Sequence, residues 1–148
     1  MNYKGFLFLC TLGLCLNCSK DESKMPEPAD DLVGHYSYSD SYYLKWGNAS
    51  KSAVDNGSFS LTKIAADKVR MSGDWNTVGT IVGNTIQFDF CPQKDSKGIY
   101  NYTFGVGTIS YGTIRFTYSC TGYRTSDAGV SYPWDCNGTI QARKNIGE

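Results

Sequence analysis

Six cysteines and one histidine are the side chains in this 148-residue sequence best suited to metal binding or nucleophilic catalysis. Three of the cysteines precede residue 19, which leaves Cys91, Cys120 and Cys136 for a domain further along the chain. These three form no Cys-x-x-Cys pair, and His35 alone cannot complete a zinc site with them. His35 also has no Gly-x-Ser-x-Gly motif to serve as a general base. We therefore predict no metal, no cofactor and no catalytic residue.

The three remaining thiols are candidates for a disulfide if the domain is exported to an oxidising compartment. The alternation of apolar side chains puts Cys120 and Cys136 on inward faces, which favours that pair. Cys91 and Cys136 instead lie where one predicted strand ends and another begins, a common place for a bridge between loops. We predict the Cys91–Cys136 pair, with Cys120–Cys136 as the alternative. Either bond would be structural. The Cys91–Cys136 bond would close the longer loop and would contribute on the order of 3 to 4 kcal/mol to the free energy of unfolding.

Carboxylates could support acid–base catalysis of glycoside hydrolysis only if two of them faced each other across a cleft. Most of the aspartates occupy turn positions or the outward face of a predicted strand. Asp40 differs because it shares its face with Tyr38 and Tyr42, and an unpaired carboxylate among aromatic rings costs several kcal/mol. Asp40 therefore invites a functional interpretation, although a strand break at residues 39–41 would turn its side chain outward. We predict that the protein is not an enzyme.

Eleven Tyr, seven Phe and three Trp form the other group of residues that could build a site. They could line a pocket for an apolar or planar ligand, or they could simply form the core. Trp134, with Tyr123 and Tyr132, could alternatively present a surface on which a sugar ring stacks. The candidate ligand-binding residues are Tyr36, Tyr38, Asp40, Tyr42, Trp46, Phe88, Phe116, Tyr118 and Trp134.

The first residues have the pattern of an export signal. Lys4 is followed by an apolar run over residues 5–17, which is too short to span a bilayer and is typical of a signal peptide. The run ends at Cys18, and the chain then becomes polar. This arrangement resembles a lipobox, the site at which a bacterial lipoprotein is cleaved and acylated on cysteine. The next residues, Ser19-Lys20-Asp21-Glu22, are similar to the export tag of surface lipoproteins of the Bacteroidetes phylum.

These resemblances imply an outer-membrane lipoprotein exposed on the cell surface, with residues 1–17 removed and Cys18 lipidated. Several acyl chains on one cysteine suffice for stable membrane anchoring. Residues 18–31 are mostly charged or polar, so we predict that they form a flexible tether. A single folded domain then covers residues 32–148.

The rest of the chain shows the period-two alternation of antiparallel strands. Two related segments, 79–88 and 107–116, each contain two Thr-Ile pairs and predict two-residue hairpins at Gly83-Asn84 and Tyr111-Gly112. A change of inward face near residues 105–107 predicts a β-bulge. The eight predicted strands cover residues 33–46, 58–64, 69–73, 75–82, 85–91, 99–110, 113–120 and 136–144.

Short connections between consecutive strands predict an antiparallel meander whose first and last strands hydrogen-bond to each other. A β-sandwich is the alternative architecture. Tight turns gather at one end, whereas the longer predicted loops, 47–57, 92–98 and 121–133, gather at the other, where we expect a ligand to bind. Gly34-His35-Tyr36 resembles the Gly-x-Trp opening of lipocalins and lipocalin-like bacterial lipoproteins. This resemblance implies an eight-stranded antiparallel up-and-down barrel, a lipocalin-like fold with a ligand cup and no catalytic residues.

Basic and acidic residues are balanced at 14 each, so the chain has no positive field that would attract nucleic acid. The sequence therefore predicts a monomeric, non-enzymatic surface lipoprotein anchored to the membrane by its lipid. We expect it to bind a small apolar or amphipathic molecule at the loop-rich end. The alternatives are a glycan-binding β-sandwich module and an inhibitor or interaction protein.

Overall fold

The computed structural model describes residues 28–146. The predicted signal peptide, the predicted lipidation site Cys18 and most of the predicted tether lie outside the described residues. Within 28–146 no helix is long and apolar enough to cross a membrane. The elements are α1 (Pro28–Leu32), β1 (Gly34–Trp46), β2 (Ala49–Ala65), β3 (Lys68–Gly73), β4 (Thr77–Val82), β5 (Thr85–Phe88), β6 (Cys91–Lys94), β7 (Gly98–Phe104), β8 (Gly107–Ser110), β9 (Thr113–Thr125) and β10 (Ser131–Lys144).

The strands of this region form one antiparallel sheet in the order β10-β1-β2-β3-β4-β5-β8-β9-β7-β6. Strand β10 also pairs with β9, so the sheet is partly closed into a ring. The predicted pairing of the first and last strands is confirmed, because Tyr36 lies opposite Lys144 and Asp40 lies opposite Ile140. The all-β, antiparallel prediction is therefore correct.

Residues 28–146 contain ten strands rather than the predicted eight, because two of the predicted strands are interrupted. The strand predicted over 85–91 ends at Phe88 and resumes as β6. The strand predicted over 99–110 is divided after Phe104, where the Gly105 amide donates a 2.8 Å hydrogen bond to the Thr117 carbonyl. A Cβ at position 105 would collide with the Thr117 hydroxyl, so a larger residue would require that hydroxyl to rotate away. The face change predicted near 105–107 corresponds to this break.

The two predicted hairpin turns are present. Gly83 has a φ of 60°, and Tyr111 and Gly112 have φ values of 45° and 73°, as primed turns between antiparallel strands require. Gly79 lies opposite Phe88 in the first hairpin, as the repeat predicts. Turn chemistry therefore specified the register of these strands correctly.

The predicted long loops are wrong, because strands continue through most of them. Residues 47–57 form a tight turn followed by the first half of β2, while 121–133 contain the ends of β9 and β10. The third predicted loop, 92–98, retains a short turn between β6 and β7. The polar composition of 49–57 reflects exposure rather than irregular backbone, since this part of β2 pairs only with β1 and has an open edge.

The helical turn α1 packs against the end of the sheet where the tight turns lie. Ala29 and Leu32 are buried, and the Ala29 amide donates to the Ala66 carbonyl at 3.1 Å. The Tyr36 hydroxyl donates to the Leu32 carbonyl at 2.9 Å. Residues 28–31, predicted to be part of the flexible tether, instead form a helical turn that Ala29 anchors to the domain.

The apolar core fills the half of the sheet that closes on itself. Tyr36 stacks on Phe59 at 5.2 Å, and Phe88 contacts Phe116 at the same distance between ring centroids. In the other half of the sheet, β3 ends at Gly73, and residues 49–57 of β2 pair with β1 alone. The interior of the sheet is therefore open to solvent on this side. The core and the open region therefore lie in opposite halves of one curved sheet.

Candidate functional site

An open cleft lies inside the sheet beyond the core. Its inner part, which we call the inner cleft, has a volume of about 480 Å³, within the range of small-molecule sites. It continues into an outer part of about 550 Å³, and Asp74, Tyr102, Arg124 and Trp134 line both parts. The inner cleft is lined by Tyr38, Asp40, Tyr42, Leu44, Asp74, Trp75, Tyr102, Tyr118, Arg124, Trp134 and Cys136.

A larger, shallow depression of about 1110 Å³ lies across β1, β2, β7, β9 and β10. Six of its fifteen lining residues are serines or threonines, such as Ser41, Thr103 and Thr139, and none of its lining residues is charged. The inner cleft instead combines aromatic rings with converging charged groups, which is the arrangement expected of a specific ligand site.

Three aspartates in or beside the inner cleft each accept a hydrogen bond from a tyrosine. Tyr118 Oη donates to Asp40 Oδ2 at 2.7 Å, and Tyr42 Oη donates to Asp55 Oδ2 at 2.8 Å. Tyr38 Oη donates to Asp74 Oδ2. Burial raises the pKa of Tyr38, and the charges of all three aspartates add to this rise. The three carboxylates therefore surround one tyrosine on β1.

Asp40 is the most buried of the three carboxylates, with a relative exposure of 7%. Strand β1 is continuous through residues 39–41, so the strand break that would turn Asp40 outward is absent. Its Oδ1 atom is buried and has no hydrogen-bond partner among the described residues. Burial raises the pKa of Asp40; the hydrogen bond from Tyr118 partly offsets this rise, and the nearby Asp55 charge adds to it.

Two glycines allow the acidic groups to come together. A Cβ at Gly57 would collide with Tyr38 Oη and would lie 2.7 Å from Asp74 Oδ2. Gly73 has a φ of 132°, and a Cβ there would lie 2.9 Å from the Ser58 carbonyl oxygen. Gly73 ends β3 in a conformation that brings Asp74 and Trp75 to the cleft.

Trp75 forms the floor of the inner cleft. It is 5% exposed, and its ring lies 5.4 Å from that of Tyr38, 5.9 Å from that of Tyr118 and 6.3 Å from that of Phe116. Trp75 was predicted to begin a strand and was not predicted as a site residue, but β4 begins only at Thr77. One tryptophan therefore separates the cleft from the core.

The structure brings five of the nine predicted ligand-binding residues to the lining of the inner cleft, namely Tyr38, Asp40, Tyr42, Tyr118 and Trp134. Trp46 packs beside Trp134 with their ring centroids 6.3 Å apart. Tyr36, Phe88 and Phe116 are buried in the core below and do not line the cleft, so the structure does not support a ligand-binding role for them. The alternation of apolar residues identified which side chains point inward. It could not show which positions along each strand belong to the core and which belong to the cleft.

Several lining residues were not predicted. Tyr102 shares the predicted inward-facing alternation of β7, which was the available signal. Asp55 lies beside the cleft rather than in its lining, where it accepts a hydrogen bond from Tyr42, and it falls in a segment predicted to be a loop. Arg124 lies over the Trp134 ring, with its Cζ atom 4.8 Å from the ring centroid. Tyr100 and Trp46 pack near the same ring, at 6.1 and 6.3 Å. Trp134 is therefore enclosed by neighbours rather than presented as a flat exposed platform.

His35 lies on the exposed face at the start of β1, where its Nδ1 is 2.7 Å from Ser60 Oγ. It does not line the cleft. Over residues 28–146, no three His, Cys, Asp or Glu side chains converge closely enough to hold a metal ion. The three aspartates are thus spread over a space larger than a metal site.

The three cysteines of the domain lie in one row across the sheet. Cys91 is opposite Tyr102, Tyr102 is opposite Cys120, and Cys120 is opposite Cys136. Cys91 and Cys136 are therefore three strand spacings apart, roughly 14 Å, which is too far for a disulfide. The predicted Cys91–Cys136 bond is wrong for this reason, and all three thiols are free in the structure. Burial raises the pKa of Cys120 to about 11, which makes it a poor nucleophile.

Oxidation should link Cys120 to Cys136, because directly opposed residues on antiparallel strands have Cα atoms about 4.5 to 5.5 Å apart, within the range for disulfides. The bond should stabilise the domain by about 3 kcal/mol. Peptide mapping without reduction, after oxidative refolding, should recover a Cys120–Cys136 peptide with Cys91 free. Replacing Cys91 with serine should leave this result unchanged, while a Cys91–Cys136 peptide would contradict the register.

Comparison with known proteins adds no family assignment. No protein-family model matches the chain, and a search of curated proteins finds no significant match. Function must therefore be argued from the cleft itself.

Proposed function

We propose that this protein is a non-catalytic binding protein that holds a small amphipathic molecule in the inner cleft. The observation that carries this proposal is a cleft of about 480 Å³ with an aromatic floor and carboxylates beside it. Aromatic rings such as Trp75 and Tyr102 would contact the apolar part of the ligand. Asp40 and Asp74 would bind its polar part.

We propose further that the fold is an eight-stranded lipocalin-like barrel. Strands β5 and β6 run in the same direction and count as one interrupted strand, and so do β7 and β8, which both pair antiparallel with β9. The pairing of β1 with β10 supports this interpretation, and so does the Gly34-His35-Tyr36 opening. A regular β-sandwich would instead place those first and last strands in separate layers.

Cellular location is the third part of the proposal. We place the protein on the outer membrane, anchored through a lipid on Cys18. The helix α1 lies at the end of the sheet where β1 begins, whereas the turns at Gly47-Asn48 and 126–130 lie at the opposite end. A tether entering through α1 would hold the cleft away from the membrane.

The alternative functions have weaker structural support. A glycan-stacking surface needs a free face of the Trp134 ring, but Arg124 lies over the ring and two aromatic residues pack near it. An inhibitor needs a rigid protruding loop, and the β9–β10 turn offers only a short one, closed by a 2.8 Å hydrogen bond from Ser126 N to Val130 O. The cleft is the feature that best accounts for the arrangement of side chains.

Mass spectrometry of the protein purified from its own host tests the proposal. The denatured protein should begin at an acylated Cys18, and under native conditions it should retain a small molecule that denaturation releases. Replacing Tyr42, which faces the cleft, with alanine should reduce the retained fraction by about tenfold. The matched control is Tyr43→Ala on the outward face of the same strand. A wild-type protein without any retained molecule, or equal losses in both variants, would overturn the proposal.

A further inference from the structure

We propose that the inner cleft binds its ligand through a protonated amine, held by Asp40 among aromatic rings, with Asp55 and Asp74 adding negative charge nearby. This inference rests on the proposed function, since it names the chemical class of molecule that the same cleft takes. The inference depends on which donors and acceptors of the cleft already have a hydrogen-bond partner and which do not.

The first observation is the unpartnered oxygen of Asp40. Asp40 is more than nine-tenths buried and lines the inner cleft, and its Oδ1 atom has no partner within residues 28–146. Buried polar atoms in proteins are nearly always hydrogen-bonded, so an exception calls for an explanation. A donor supplied by a ligand is the explanation that the position of Asp40 in the cleft favours.

The second observation is that the tyrosine hydroxyl hydrogens around the acids are already committed. Tyr118, Tyr42 and Tyr38 each donate to one aspartate. A hydroxyl has a single hydrogen to donate. The acidic end of the cleft therefore presents surplus acceptors, and a complementary ligand group must be rich in donors. An ammonium group has three donors and no acceptor.

The third observation concerns charge. The ion pairs between described residues, Lys63–Asp30 and Lys97–Asp127, involve none of the three cleft aspartates. Arg124 is the basic residue that lines the inner cleft, and its guanidinium lies over Trp134. A ligand cation would supply the missing countercharge, whereas a carboxylate or phosphate ligand would add repulsion.

The aromatic surroundings favour an organic cation over a metal ion. The rings of Tyr38, Trp75 and Tyr118 adjoin the acids, and aromatic faces attract ammonium groups. The described acidic and thiol side chains do not converge as a metal site. The inner cleft is also large enough for an apolar body attached to the amine.

All three tryptophans of the sequence lie in or beside the cleft, so intrinsic fluorescence reports its occupancy. The probes are 2-phenylethylamine, 2-phenylethanol and 3-phenylpropionate, with octylamine, octanol and octanoate as a second series. At neutral pH the amine of each series should bind at least about tenfold more tightly than its alcohol, and the acid should bind least. Calorimetric titration provides an independent measure of the same affinities.

Asp40→Asn should weaken amine binding by at least about tenfold while leaving alcohol binding within about threefold. Asp55→Asn, at a more exposed position, should weaken amine binding by a smaller factor. Asp135→Asn is the control, because Asp135 is exposed and does not line the cleft. Its affinities should match those of the wild type.

Alcohols that bind as tightly as amines, or an Asp40→Asn variant that loses both equally, would overturn the amine inference and leave the proposed function intact. If no probe binds but the protein from its host retains a molecule, the inference also falls and the binding function stands. If no probe binds and no molecule is retained, both fall.

Discussion

Trp75→Ala should lower the free energy of unfolding by about 3 to 5 kcal/mol, the usual cost of truncating a large buried aromatic residue. Trp75 contacts Tyr38 and Tyr102 on the cleft side and Phe104 and Phe116 on the core side. Removing the indole leaves a cavity between the two halves of the sheet interior. Urea denaturation followed by circular dichroism measures the loss.

Trp134→Ala is the matched control for this prediction. Trp134 is only half-buried, at the side of the cleft, so its truncation should cost about 1 to 2 kcal/mol. Both variants should lose ligand affinity, but only Trp75→Ala should threaten the fold. Equal losses of stability in the two variants would contradict the role of Trp75 as the floor of the cleft.

Asp40→Asn should raise the free energy of unfolding at neutral pH, by on the order of 1 to 3 kcal/mol, even though it weakens binding. Asparagine keeps the shape of the side chain and can still accept the hydrogen bond from Tyr118. It removes a buried charge whose Oδ1 atom has no partner among the described residues. Binding sites often retain such destabilising groups because the ligand needs them.

The sign of the pH dependence follows from the raised pKa of Asp40. Between the ordinary aspartate pKa and the raised one, the folded protein keeps a proton that the unfolded chain has released. The free energy of unfolding therefore decreases as the pH rises through this window. Tyr118 and Cys136 face Asp40 and remain protonated there because their pKa values are also raised, while Asp55 adds negative charge.

The stability advantage of Asp40→Asn should thus be smallest below the ordinary aspartate pKa, grow across that window and level off above the raised pKa of Asp40. Thermal unfolding of both proteins over a pH series measures this difference. Asp135→Asn, at an exposed position, should show no such trend. A variant that is less stable than the wild type at neutral pH would show that Asp40 already has a stabilising partner.

Turn residues and the alternation of apolar side chains allowed two hairpins and the inward face of β1 to be predicted. The repeated Gly-Thr-Ile segments specified two hairpins, and alternation placed Tyr38, Asp40 and Tyr42 on one face. The segments 47–57 and 121–133 were mispredicted because their polar residues belong to exposed strands, and composition alone cannot distinguish an exposed strand from a loop. Long-range pairing, rather than propensity, keeps them extended.

The parts of the site that escaped prediction depend on which strands become neighbours. Asp55 lies beside the cleft only because β2 folds back on β1 in a register that places it opposite Asp40. Cys91 and Cys136 are separated because β7 and β9 come between them, which the spacing of cysteines in the sequence does not show. Asp74 and Trp75 belong to a connection between strands, where alternation gives no information about direction.

A crystal structure of the protein soaked with 2-phenylethylamine would show whether an amine occupies the inner cleft. The ammonium nitrogen should lie about 2.7 to 2.9 Å from Asp40 Oδ1, with the phenyl ring against Trp75 or Tyr102. A molecule bound instead in the larger shallow depression near Ser41 and Thr139, or an inner cleft still empty at saturating amine, would contradict the proposed amine site.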